Sequence, residues 1–345
     1  MAAVTDVTQD TVSDTVWHVA AFYQFRAVPD PESLVENLKG VTARLSQQAA
    51  GVDASTPTLV GTILVAGEGV NGTIAGNPDA LREVFSTLSK AGFDDLIRRN
   101  TRADTAPFHR MKVRLKNEIV SMGQPGLDLD QRGEYVEPEQ WDALIADPTV
   151  TVIDTRNDYE TCLGTFAGAQ APETGSFRDF PAWVDANLDS GKQSRVAMFC
   201  TGGIRCEKAT AYLKAQGFDE VFHLRGGILN YLEQTPRDSS SWQGECFVFD
   251  DRVTVDHNLA AGGHTQCFNC RMPLTPEQLQ DPRYEEHVSC PYCYDRVDAR
   301  RRESLLERAR QMSLAEQRGE RHLGAAMGEN ADTSQAASCS PENDA

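Results

Sequence analysis

Val196-Ala197-Met198-Phe199-Cys200-Thr201-Gly202-Gly203-Ile204-Arg205 reads as a buried strand, a glycine-bearing loop and the start of a helix. The first four residues are a short apolar run of the kind buried centrally in a parallel sheet. Cys200 follows at the carboxyl end of that run, where open α/β sheets place their ligands. Gly202 and Gly203 let the backbone curl so that several amide N–H groups face the sulfur, and a helix N-terminus adds partial positive charge. Such a cradle favours the thiolate and lowers the thiol pKa from about 8.5 toward neutrality. Arg205 either adds charge to the rim or ties the loop by bonding its carbonyls. Cys206 is read two ways, as a second, resolving thiol or as a packing residue on the helix. The competing reading of the whole loop is an inert buried cysteine before an ordinary strand-to-helix turn.

Outward from the loop, the pattern alternates strands with helices. It predicts a helix over Glu137 to Ile145, strands over Val150 to Asp154 and Arg195 to Phe199, a helix over Cys206 to Gln216, a strand over Val221 to Leu224 and a helix from Gly227. Alternation of this kind indicates an α/β domain at 134–235, with a parallel sheet covered on both faces. Residues 121–133, rich in Gly, Asp and Gln, read as a linker.

Upstream, aromatic and β-branched residues from Trp17 to Phe25 predict a strand. A helix opens at Pro31 with Leu34, Leu38, Val41 and Leu45 on one face and Gly51 beyond its end. Leu59 to Ala66 is a second strand, and the turn Glu68-Gly69-Val70-Asn71-Gly72 leads into a third at Thr73 to Ala75. Asn77-Pro78-Asp79 caps a helix to Lys90, and Met111 to Val120 is the last strand. The order βαββαβ predicts a ferredoxin-like or acylphosphatase-like α+β domain over 17–120. Lys112, Arg114 and Lys116 alternate with Met111, Val113 and Leu115, so the charges form a row on one face with Arg110 beside it. That row suits RNA phosphates or an ordinary solvated face equally well.

A length of 345 residues implies two domains plus an appendage. The polar ends, 1–16 and 321–345, read as a disordered leader and tail. The absence of an eighteen-residue apolar run and of a signal-like N-terminus points to a cytoplasmic chain with no membrane partner. With no export signal, nine cysteines argue for thiol chemistry and metal ligation over disulfides. Cys267-Phe268-Asn269-Cys270 and Cys290-Pro291-Tyr292-Cys293, nineteen residues apart, match a four-thiolate structural zinc pattern. Redox thiols or an iron–sulfur site are the alternatives, and His264 and His287 lie near enough to replace a cysteine. This Cys-rich, zinc-ribbon-like region spans 236–320 and carries a charged helix from Ala299 to Arg318. A net charge of −18 opposes general binding to nucleic acid, although Arg98 to Lys116 and Arg296 to Arg310 are locally basic.

Cys200 to Ala209 resembles the active-site loop of rhodanese domains. Val152-Ile153-Asp154-Thr155-Arg156-Asn157, with Glu160, Gly164 and Gly168-Ala169, is similar to that family's early strand motif. Leu224-Arg225-Gly226-Gly227-Ile228 is similar to its late Gly-Gly turn. Related phosphatases place five residues between Cys and Arg where this loop has four, which implies a pocket shaped for sulfur rather than for a phosphoryl group. Together with the Cys206-Glu207-Lys208 extension, the Glu68 to Gly72 turn, Arg110 to Arg114 and Phe247-Val248-Phe249-Asp250, the chain from about Val19 to Cys293 resembles the oxygen-dependent tRNA uridine hydroxylase family.

The resemblance implies an oxidoreductase that hydroxylates C5 of the tRNA wobble uridine with molecular oxygen as cosubstrate. It also implies Cys200 as the catalytic, persulfide-forming cysteine, and it suggests that the first domain holds the anticodon arm. A sulfur-donor protein would then be a partner. No iron triad and no flavin or nicotinamide fingerprint is recognised. Two roles for Cys200 stay open: addition to uridine C6, which enriches C5 in electrons, or carriage of the reactive equivalent as a persulfide. The alternative activity is a sulfurtransferase moving sulfane sulfur from thiosulfate or a persulfide donor, and a noncatalytic RNA-binding scaffold is a third reading. The basic first domain and the Cys-rich end favour the tRNA enzyme.

Overall fold

Alternation of side chains organises the first domain. In the computed structural model, which describes residues 16–47 and 59–318, strand β1 (Trp17–Phe25) turns Ala20 and Phe22 to one side and Val19, Ala21 and Tyr23 to the other. Helix α1 (Pro31–Gln47), β2 (Leu59–Ala66), β3 (Gly69–Gly76), α2 (Pro78–Lys90), β4 (Ile97–Ala103) and β5 (Met111–Leu115) follow. The sheet order is β4-β1-β3-β2-β5, antiparallel throughout except for the parallel pair β2–β5. Leu34, Val35 and Leu38 of α1, with Leu81, Val84 and Leu88 of α2, pack on Ala20, Phe22, Ile63 and Ile74. Asn77 caps α2 by accepting from Ala80 N at 2.8 Å, and Pro78 presets its first turn. Both helices therefore cover one face, and the other is turned toward the rest of the protein.

The domain has one strand more than the expected βαββαβ. β4 reads Ile-Arg-Arg-Asn-Thr-Arg-Ala and sits at the sheet edge, where charge is the normal protection against stray pairing and no apolar period announces a strand. β5 is also shorter than 111–120. Met111 and Val113 pack toward the helices as expected, but Leu115 is 44% exposed, and the last backbone bond to β2 is Lys116 N to Val65 O at 2.8 Å. The chain beyond is held by side chains instead: Glu68 Oε1 accepts from Ile119 N at 2.7 Å, and Asn71 donates to Ile119 O at 3.0 Å. The leader lies outside the described residues except for Val16, and Gly51, Cys339 and the tail lie outside them altogether.

The second domain comprises β6 (Glu134–Val136), α3 (Pro138–Ile145), β7 (Val150–Asp154), α4 (Asp158–Thr161), β8 (Gly164–Phe166), α5 (Phe180–Asn187), β9 (Arg195–Phe199), α6 (Ile204–Ala215), β10 (Glu220–Leu224) and α7 (Gly227–Gln234). Its sheet, ordered β6-β10-β9-β7, is parallel throughout. Trp141 of α3 and Ile228, Tyr231 and Leu232 of α7 cover one face with Val152, Ala197 and Phe199. Phe180 and Val184 of α5, with Cys206, Ala209 and Leu213 of α6, cover the other with Ile153, Val196 and Met198. Both faces are buried, as the alternation requires. α6 begins at Ile204, two residues before the expected start, because the loop is already helical there.

Short elements complete the chain: β11 (Trp242–Gly244) on β8, the hairpin of β12 (Cys246–Phe247) with β13 (Thr254–Val255), the pair β14 (Thr265–Gln266) with β15 (Pro273–Leu274), and α8 (Ala299–Gln317). No helix among the described residues is long and apolar enough to cross a membrane.

Two consecutive residues of α6 join the domains. Lys208, 2% exposed, places its ammonium 2.8 Å from Glu68, 2.7 Å from Glu118 and 3.1 Å from Val120 O. Glu207 accepts from Tyr23 at 3.0 Å and Tyr135 at 2.7 Å and pairs with Arg132 at 3.1 Å. Lys208→Met strands two carboxylates at this joint, and breaking a buried pair from one side costs about 3–5 kcal/mol. Urea unfolding is expected to lose about 3 kcal/mol, since Glu68 and Glu118 retain some water contact. Unchanged stability would mean that the Lys208 charge contacts add nothing to folding.

Candidate active site

Cys200 sits just beyond β9, with no exposed surface of its own, at the floor of a cleft. Gly203, at φ 93°, donates its N–H to Cys200 Sγ at 3.1 Å. The start of α7 grips the same loop from behind: Ile228 N donates to Cys200 O at 3.0 Å and Leu229 N to Thr201 O at 3.1 Å. Gly227, at φ 69°, makes this approach possible, because a Cβ there would lie 2.4 Å from Cys200 O and 2.7 Å from Gly203 N. The late Gly-Gly turn is thus the back of the thiol cradle.

Arg205 bonds Glu160 through two nitrogens, at 2.5 and 2.8 Å, and also reaches Thr201 Oγ1 at 3.3 Å. Thr201 donates to the same carboxylate at 3.2 Å. Glu160 has no water contact, yet Arg205 keeps its carboxyl below the usual range against the opposing effect of burial. One turn upstream a second buried pair, Arg156–Asp154 at 2.9 and 2.6 Å, anchors the end of β7 under Trp242. Burial pushes the Cys200 thiol up, but the adjacent Cys206 thiol, the Arg205 guanidinium and the amides of Cys206 and Arg205 outweigh it and bring it to about 6. Cys206 is driven the opposite way, well above the ordinary thiol value, by burial and by Cys200. It packs in the core against Thr155 Oγ1 at 3.6 Å and remains the protonated member of the pair.

The cleft, of about 570 Å³, falls in the size range of small-molecule sites and has three walls. Ala21, Tyr23, Leu64 and Arg99 come from the open face of the first sheet, Tyr159 and Ile204 from around the thiol loop, and Phe249 and Arg252 from the β12–β13 hairpin. Arg99 crosses between domains to Asn230 and Glu233. Register sets the position of the basic strand. Lys112 pairs with Thr62 and Arg114 with Leu64, and Thr62 and Leu64 line the cleft, so the two charges share its face of the sheet. Arg110 precedes β5 and Lys116 follows it, and none of the four has a carboxylate partner among the described residues. Tyr23, Arg99 and Phe249 were not singled out by their residue types. Arg99 carried a signal as part of the locally basic stretch from Arg98 to Lys116, and Phe249 as part of Phe247-Val248-Phe249-Asp250.

The sulfurs of Cys267, Cys270, Cys290 and Cys293 all lie within 4.8 Å of one another, with Cys267–Cys293 at 4.0 Å and Cys270–Cys290 at 3.5 Å. A tetrahedral ion with bonds of about 2.3 Å separates its sulfurs by about 3.8 Å, so the set fits a closed four-thiolate metal site. His264 is occupied with Glu245 at 2.8 Å and His287 packs edge-on to Phe268, which leaves both outside the cluster.

A family model described as the UPF0176 acylphosphatase like domain matches residues 17–119, and one described as the Rhodanese-like domain matches residues 137–234. The tRNA uridine(34) hydroxylase of Agrobacterium fabrum is 50% identical over 308 residues, 89% of this chain and 94% of that protein. The tRNA uridine(34) hydroxylase of Rhizobium leguminosarum bv. trifolii is 49% identical over 308 residues, 89% of this chain and 96% of that one.

With the Cys200 thiol at about 6, alkylation by iodoacetamide is expected to be near its plateau at neutral pH and to fall as pH drops through about 6. Arg205→Met removes a group that favours the thiolate and moves that midpoint upward. Peptide mapping of the modified cysteine across pH checks both, and a midpoint near 8.5 in the wild type would refute the cradle.

Proposed function

Because the chain belongs to the tRNA uridine(34) hydroxylase family, we propose that it hydroxylates C5 of the wobble uridine in tRNA, with molecular oxygen as cosubstrate and a persulfide on Cys200. The observation that carries this reading is a thiolate-poised cysteine on the floor of a cleft whose opposite wall is a cation-bearing sheet. A rhodanese-type loop holds a sulfur anion through amide N–H groups, and a terminal persulfide sulfur is such an anion. Thr201, Gly202, Gly203 and Ile204 shape the loop, and Arg205 holds it through Glu160.

The reaction balances with the persulfide as the two-electron reductant. One oxygen atom replaces hydrogen at C5, the other ends on the terminal sulfur, and C5–H plus Cys–S–SH plus dioxygen give C5–OH plus Cys–S–SOH. The hydrogen lost from C5 becomes a hydroxyl proton. Two small-molecule thiols return Cys–S–SOH to Cys–S–SH, giving a disulfide and water, and a sulfur-donor protein charges Cys200 at the outset by passing its sulfane sulfur to the thiolate. Cys206 stays a thiol and stabilises its neighbour.

Lys112 and Arg114, with Arg110 and Lys116 at the ends of their row, hold phosphates of the anticodon arm. Unpaired cations beside a cleft are what a polyanion displaces counterions from. Cys267, Cys270, Cys290 and Cys293 take zinc, which closes their loop structurally. The substrate places the work in the cytoplasm.

Cells lacking the protein should lose 5-hydroxyuridine from tRNA, and restoring the wild type, but not Cys200→Ser, should return it, as read by nucleoside mass spectrometry. Thiosulfate:cyanide turnover with no change in tRNA would favour the sulfurtransferase instead. In filter binding, Lys112→Ala with Arg114→Ala should flatten the slope of log affinity against log salt by about 0.7–0.9 per lost contact. An unaltered slope would return that row to ordinary solvated surface.

A further inference from the structure

Among the described residues the most exposed large apolar side chain is Phe249, at 58%, and of the exposed ones it alone lines the Cys200 cleft. Its position is built. The ring meets Phe247 edge-on at 5.1 Å, and Phe247, 3% exposed, meets Tyr159 at 5.2 Å. Just beyond it, Arg252 clamps Asp250 at 2.9 and 2.6 Å, and Asp251 N donates to Pro107 O at 3.0 Å, tying the hairpin tip to the first domain. The Arg205 guanidinium lies 5.9 Å from the ring centre, so the ring stands beside the thiol loop.

A lone exposed ring needs no explanation in itself, but this one is fixed on a packed aromatic pair and presents its apolar face to the cleft that holds Cys200. Single-stranded RNA loops are recognised by unstacked bases laid on such rings, and an enzyme acting on a base must take it out of its stack. We infer that the Phe249 face of the cleft is a nucleobase subsite, on which an extruded pyrimidine stacks with its reacting edge toward Cys200. This deepens the tRNA reading and rests on it. Phe249 is a positioning residue here: it holds the base and carries no proton or electron.

The test is a cycle that removes ring and base separately. Anticodon stem-loops carrying either uridine or an abasic site at the wobble position are titrated against wild type, Phe249→Leu and Phe249→Tyr, each checked for an unchanged melting temperature. Leucine keeps apolar bulk without a π-face, and tyrosine keeps the face. Stacking predicts that losing the base weakens wild-type and tyrosine binding by about 5- to 150-fold and leaves the leucine variant within about twofold. An equal abasic penalty in wild type and Phe249→Leu, or none in wild type, overturns the subsite while the tRNA reading stands. A wild type that binds neither stem-loop overturns that reading and the subsite together.

Discussion

Arg205 and Glu160, facing each other through two short hydrogen bonds with almost no water between them, set the shape of everything around the thiol. A buried ion pair is a poor source of net stability, because desolvation consumes most of the attraction. Its value here is geometric. Glu160 lies in the first turn of α4 and Arg205 in the first turn of α6, so the pair fixes the ends of β7 and β9 relative to one another. It also has an electrostatic consequence: the guanidinium charge is largely spent on Glu160, so Arg205 alone cannot account for a thiolate. The Cys206 thiol and the amides of the loop supply the remainder, which is why Gly203, at φ 93°, must stay a glycine.

The same helix carries that constraint outward. Glu207 and Lys208 follow the loop directly, about 100° apart around α6, and they hold different parts of the first domain. Glu207 takes Tyr23 of β1, while Lys208 takes Glu68 of the β2–β3 turn and Glu118 beyond β5. Tyr23 also lines the cleft, and its hydroxyl is 3.0 Å from where a Cβ on Gly203 would stand. The separation between the thiol and the opposing sheet is therefore governed by residues at the start of α6, seven and eight positions after Cys200. A shift of the first domain would move the cleft wall and the cradle together.

What was legible in the sequence follows from which signals are local. The parallel sheet was readable because its strands are continuous apolar runs, and the thiol loop because glycine spacing and a following helix are contiguous. β4 was invisible because a charged edge strand has the composition of a loop, although its arginines were noticed as a basic cluster. α4 and β8, of four and three residues, are too short to show a repeating pattern, and α5, of eight, was not read from the sequence. Glu207 and Lys208 were seen as a loop extension, but their partners are 72 to 184 residues away in sequence, and no spacing rule reaches that far. Phe249 was visible only as part of the Phe247-Val248-Phe249-Asp250 stretch, with nothing local to mark it as exposed. Its exposure is a tertiary fact, created by the turn that ends β12 at Phe247.

A chain of net charge −18 is an awkward partner for RNA, and the arrangement of its charges resolves the difficulty. Screening in physiological salt limits charge effects to about 8 Å, so an approaching phosphate responds to the patch it meets rather than to the total. Lys112 and Arg114 stand on the cleft face of the sheet without acidic partners, whereas Arg195, Arg283 and Arg302 are each paired with a carboxylate. In the tRNA reading, those two cations offer phosphates a place on the face that leads to Cys200, whatever the total charge.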